Sequence, residues 1–146
     1  MRLVLATAKE PGARSQYFSA LDGLLGKEKA ELARRREVVD FPGRLGIQHR
    51  DVLHALSIGA ADAGIIVRHL AQYFATTYPD ICQMIPIEGA DQFASTIALA
   101  TVQQPIKTTA ARAFTEYFLG TARMVYPNYG FAEMTSSEYE APLILD

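Results

Sequence analysis

Residues 3–7, Leu3-Val4-Leu5-Ala6-Thr7, run directly into Lys9-Glu10-Pro11-Gly12, and this junction decides the fold class. A short apolar run closed by turn formers reads as an interior strand, because it is too brief to present a helical face. Beyond the junction Tyr17, Phe18, Leu21, Leu24 and Leu25 recur at three- and four-residue steps, the spacing of one side of a helix. Gly26 stands where a helix C-cap belongs. The chain therefore opens as strand, turn and helix.

The alternation continues outward from this unit. Residues 28–36 read as a charged helix, and residues 37–41, with Val38-Val39, predict a short strand closed by the Pro42-Gly43 turn. Val52, Leu53, Leu56 and Ile58 mark an apolar helical face that stops at Gly59. Residues 63–67, Ala-Gly-Ile-Ile-Val, then read as a central strand. Residues 68–78 predict a helix with Leu70, Tyr73 and Phe74 inward, ended by Pro79-Asp80, and residues 81–87 and 93–102 predict further strands. A last helix is expected over about residues 107–124, with Ala111, Phe114, Tyr117 and Phe118 on one side, before Pro127-Asn128-Tyr129-Gly130 breaks the chain. The tail from Ala132 reads as polar and irregular. This order predicts an α/β fold, a mostly parallel sheet with helices on both faces joined by right-handed crossovers. The length suits one domain over residues 1–146, with no internal repeat or linker.

Composition narrows the function. With 49% hydrophobic and 21% charged residues the chain has the profile of a folded domain with a real core. A net charge of −2 provides no basic field to displace counterions from a nucleic acid, which excludes that partner class. Arg34-Arg35-Arg36, preceded by Lys27 and Lys29, is interleaved with Glu28, Glu31 and Glu37 at helical spacing, and reads as a solvated face before it reads as a binding patch. Cys82 is the single cysteine, set in an apolar run, so it builds neither an intrachain disulfide nor a thiolate metal site; a buried, inert thiol is expected. No stretch approaches the roughly eighteen uninterrupted apolar residues of a membrane helix, so a soluble chain is expected. Residues 1–7 lack a signal h-region and cleavage pattern, which as written predicts a cytoplasmic chain. There is no phosphate-loop glycine pattern, no G-x-S-x-G elbow and no metal-ligand spacing, so neither an enzyme nor a cofactor is expected. His49 and His54, about 140° apart on a helix, do not form a metal pair.

The chemistry that remains is anion binding. A helix N-terminus gathers unpaired N–H groups and partial positive charge, and Pro11-Gly12-Ala13-Arg14 occupies such a place. Gly12 and Ala13 leave room for close approach to the backbone, Pro11 fixes the turn, and Arg14 adds a charge-assisted contact. The competing reading is a plain strand-to-helix turn with Arg14 in solvent.

Three stretches carry a family resemblance: residues 3–13, residues 51–67 with Gly59-Ala60-Ala61-Asp62-Ala63-Gly64-Ile65-Ile66-Val67, and residues 110–131 with Tyr129-Gly130-Phe131. In that order the chain resembles the second half of the molybdate-binding components of ABC transporters, proteins of the type II periplasmic-binding-protein fold. The resemblance runs from about Arg2 to Phe131 and is loosest over residues 27–47. It implies a single periplasmic-binding-protein-like lobe with the C-terminal segment, the family's N-terminal lobe being absent. It also implies a small oxyanion ligand such as molybdate or tungstate, a transporter permease as partner of the parent protein, and a periplasmic location for that parent. By the same resemblance the ligand is held at Gly12, Ala13 and Arg14 and at Gln48 and His49, with the His49 amide as the second helix-start contact. Val67 stands where the family commonly has a tyrosine hydroxyl, which removes one hydrogen-bond donor. The alternative expectation is a single-lobe interaction module or homodimer, since the face turned toward the missing lobe would expose apolar surface.

Overall fold

Leu3, Val4, Leu5, Ala6 and Thr7 are between 0 and 6% exposed, the most deeply enclosed run among the described residues. In the computed structural model, which describes residues 1–94, 99 and 108–132, Leu3–Val4 forms strand β1 and pairs in parallel with β2, Ala63–Gly64, in the register Leu3 to Ala63 and Val4 to Gly64. The opposite edge of β1 is occupied too. The Leu3 N–H donates to the Arg36 carbonyl (2.9 Å), and the Val38 N–H donates to the Leu3 carbonyl (2.7 Å). A strand with neighbours on both edges and cover on both faces has little use for polar side chains, which is why this run is apolar up to Thr7.

The chain divides into two compact units, Met1–Thr96 and Ile97–Asp146. In the first, α1 (Pro11–Leu25) and α2 (Lys27–Arg34) are separated only by Gly26, whose φ of +76° is open to a residue without Cβ. Then come α3 (Gln48–Ser57), β2, α4 (Arg68–Thr77) and a 3-10 helix, Ala90–Phe93. Val4, Phe41, Val52, Ala55 and Ala61 make the core between α3 and the ladder, with Val38, Leu56, Ala60 and Ile66 packed on it. A Cβ at Gly64 would lie 2.5 Å from Cγ1 of Val52, so α3 sits as close to β2 as it does because residue 64 has no side chain. On the other helix pair, the Phe93 ring lies against Gly23 of α1, and the Gln16 side-chain amide donates to the Phe93 carbonyl (2.8 Å).

The second unit, taken by itself, holds α5 (Thr108–Leu119) and a 3-10 helix, Ala122–Tyr129. Rings of Phe114, Phe118, Tyr126 and Phe131 follow one another at centroid separations of 5.9, 5.4 and 6.0 Å.

The architecture is mixed α/β with parallel pairing, but helices dominate and the sheet is two strands wide among the described residues. The predicted strand at 81–87 is absent. The N–H groups of Ile81 and Cys82 both donate to the Tyr78 carbonyl, so the run begins inside the turn that ends α4, and Pro86 lacks a ladder donor. Ile81, Ile85 and Ile87 are exposed, and Cys82 is half-buried rather than enclosed. Residues 37–41 contribute a single bridge at Glu37 in place of a full strand. Phe93 belongs to a 3-10 helix, and most of residues 95–102 lie outside the described residues, as does the tail beyond Ala132. Pro127 and Asn128 continue a 3-10 helix instead of breaking the chain, and Gly130 at φ +83° ends it. The arginine run is paired on its helix face: Arg34 with Asp22 at 2.7 Å and Arg35 with Glu31 at 3.4 Å. Among the described residues no helix is long and apolar enough to cross a membrane.

Beside the start of the ladder, Asp62 accepts the Arg2 amide (2.6 Å) and the Arg2 guanidinium (2.7 Å). The Arg2 side chain, more than any other group, holds the Asp62 carboxyl down to about 2. Folded Asp62 thus stays ionised below the unfolded carboxylate value of about 3.9, so its contribution is intact above that pH and is lost as pH falls toward 2. Urea unfolding across pH 4 to 2 should therefore fall less steeply for Asp62→Asn than for the natural chain. Gly64→Ala should destabilise by about 1–3 kcal/mol through overpacking, and less when combined with Val52→Ala, which frees the colliding methyl. Equal losses in both backgrounds would mean that the Val52 contact does not set this position.

Candidate functional site

Parallel pairing fixes which chain ends meet. The chain leaves β1 through residues 7–10 into α1 and leaves β2 through residues 65–67 into α4, so both helices begin at the C-terminal edge of the ladder. α3 precedes β2 and packs on both strands, returning toward the start of β2, so its own N-terminus lies at that same edge. In open α/β folds this is the edge outside which ligands are held. One side chain confirms the meeting of α1 and α3: the Thr7 hydroxyl accepts the Lys9 N–H (3.0 Å) and donates to the Gly46 carbonyl (3.2 Å), tying the loop before α1 to the loop before α3.

Between these loops is an open depression of about 310 Å³ lined by Thr7, Lys9, Asp40, Arg44, Leu45 and Gly46. The Lys9 stem lies over Gly46, whose missing Cβ would fall 2.8 Å from Lys9 Cδ. Asp51, in the first turn of α3 and 1% exposed, folds back to accept the N–H groups of Leu45 (2.8 Å), Gly46 (2.8 Å) and Ile47 (3.1 Å). The amides that lead into α3 thus already have an anion, supplied by the chain itself. Arg44 Nε is 3.7 Å from the same carboxylate, and its guanidinium carbon lies 5.7 Å from the Phe41 ring centre. Beneath the turn, His54 Nε2 is 2.8 Å from the Pro42 carbonyl oxygen.

The residues singled out from sequence fall in two groups. Gly12 and Ala13 lie in the first turn of α1, where helix geometry leaves their N–H groups without intrahelical acceptors, and Glu10 supplies no side-chain cap. Nothing stands within 4 Å of the place a Gly12 Cβ would take. Gln48 and His49 open α3, with His49 exposed, and Val67 is the N-cap residue of α4. These backbone positions share one edge of the ladder. Arg14 points elsewhere. Its two terminal nitrogens donate to Glu37 Oε1 and Oε2, both at 2.7 Å, and one also donates to the Ala6 carbonyl. The Glu37 side chain is 7% exposed, and the hydrogen bond to it raises the Arg14 pKa. The guanidinium carbon lies 4.5 Å from the Phe18 ring centre, completing an internal clamp between α1 and the bridge at Glu37.

Sequence reasoning passed over Lys9, Arg44 and Asp51. Asp51 lies four residues past Ile47, one beyond the spacing of a capping box, so no local rule announces its hold on the amides before α3. Lys9 and Arg44 are thirty-five positions apart and meet only through the fold. No group of three His, Cys, Asp or Glu side chains able to hold a metal ion is found among the described residues.

No family model, no curated protein and no solved structure matches this chain.

Removing one partner of a mostly buried ion pair strands the other. Arg14→Met should therefore cost about 3 kcal/mol in chemical unfolding, and Arg14→Met with Glu37→Gln clearly less. Strict additivity of the two would mean the pair does not act as a unit.

Proposed function

We propose that this chain binds a small tetrahedral oxyanion of the molybdate or tungstate kind, as the second lobe of a solute-binding component serving an ABC transporter permease. The observation that carries the reading is the parallel topology that sends the α1, α3 and α4 starts to one edge of the β1–β2 ladder, with a depression between the loops that lead into α1 and α3. Helix starts offer N–H donors and partial positive charge fixed in place, so an anion is held without reorganising the protein. In this reading the amides of Gly12 and Ala13 act from α1 and those of Gln48 and His49 from α3. Arg14 acts indirectly, by holding α1 against Glu37. The lobe is of the periplasmic-binding-protein type, a mostly parallel sheet with helices on both faces, and its parent works in the periplasm. It binds and releases its ligand without altering it.

A second reading, an interaction or homodimerising module, is favoured by the exposed Phe114, Tyr117, Met124 and Tyr129 of the second unit. Calorimetric titration with molybdate, tungstate, sulfate and phosphate separates the two. Micromolar or tighter binding of molybdate or tungstate is the expected result. Absence of heat with all four anions, together with a mass that doubles with concentration, would replace the transport reading by the second.

A further inference from the structure

The helix starts explain how an anion's shape is recognised, but not how its charge is balanced. Partial charges at helix termini separate a dianion from a monoanion of one shape only weakly, whereas full charges at short range separate them strongly. Two cations line the depression. Lys9 lies across Gly46 and makes no ion pair among the described residues. The Arg44 side chain is only 19% exposed, and its ionic neighbour is Asp51, 3.7 Å from Nε. That carboxylate is already shared among three backbone N–H groups. Arg44 is therefore a largely desolvated cation with a distant and divided counter-charge, a situation relieved by an anion in the depression it lines. Asp40 lines the same depression and opposes such an anion.

Building on the oxyanion-binding reading, we infer that Lys9 and Arg44 are the residues that select a tetrahedral dianion over an equally shaped monoanion, with Asp40 setting the upper limit of affinity. Lys9 approaches the ligand from the α1 side and Arg44 from the α3 side. The neutral N–H donors fix orientation, and the two cations read charge.

The test compares molybdate, a tetrahedral dianion at neutral pH, with perchlorate, a tetrahedral monoanion, by calorimetry on the full chain. The natural protein should prefer molybdate. Lys9→Met, at an exposed position, should weaken molybdate by about tenfold or more and perchlorate by less, so that the ratio between them shrinks. Arg44→Met should do the same, with Arg44→Lys restoring part of the preference. Asp40→Asn should shift molybdate affinity the opposite way, upward. Should Arg44→Met fail to fold, Lys9→Met and Asp40→Asn decide alone. Molybdate binding unchanged in both overturns the inference while leaving the oxyanion reading in place. A natural protein that binds neither anion removes that reading and the inference with it.

Discussion

The two-sided backbone pairing of β1 is the constraint on which the first unit depends. Leu3 exchanges hydrogen bonds with the Arg36 to Val38 segment on one edge and stands in register with Ala63 on the other. A strand so placed offers two apolar faces and two satisfied edges, and everything around it must be short-reaching to fit. Val4 meets Val52 and Ala55 in one cluster because α3 lies close, and α3 lies close because residue 64 is glycine. The buried run ends at Thr7, where the hydroxyl turns from core filler to polar tie across the loops.

Charge inside this unit is used first to hold the chain to itself. Arg14 with Glu37 fastens α1 to the bridge segment, Asp51 gathers the three amides before α3, and Arg34 reaches Asp22 and the Phe18 carbonyl from α2. A hydrogen bond to a charged group contributes roughly 1.5–3 kcal/mol, whereas a buried charge left alone costs more than that, so these groups work as matched sets. Phe18 is common to two of them, with the Arg14 and Arg34 guanidinium carbons 4.5 and 4.6 Å from its ring centre. The consequence is a division among the cations. Cations committed to internal carboxylates shape the walls, while Lys9 and the open side of Arg44 face the depression.

The site that results is built from the ends of elements rather than from their faces. Parallel strands send their following helices off the same edge, and a helix that precedes a parallel strand starts there as well, so convergence of helix N-termini follows from topology before any side chain is chosen. Side chains then set what the edge can hold. The second unit follows another economy: its aromatic rings stack in series along α5 and the 3-10 helix, while Tyr117, Met124 and Tyr129 remain exposed.

The helices were largely legible in the sequence, because three- and four-residue apolar spacing, Gly26 and Pro79 are local signals that need no distant partner. So were the backbone positions at Gly12, Ala13, Gln48 and His49, which are helix starts whatever surrounds them. Strands were less legible: residues 3–7 and 81–87 look alike as short apolar runs, yet one is the centre of the ladder and the other follows a turn with its isoleucines exposed. A strand exists only by pairing, and the partner is not written in the segment. The same reason governs the charged residues. Whether Arg14 faces a ligand or Glu37, and whether Lys9 and Arg44 share one depression, depends on contacts across 23 and 35 positions of chain. The sequence by itself determined the periodic elements and their ends; tertiary structure decided which strand is central and which charges are spent inside, because pairing and burial are properties of two segments at once.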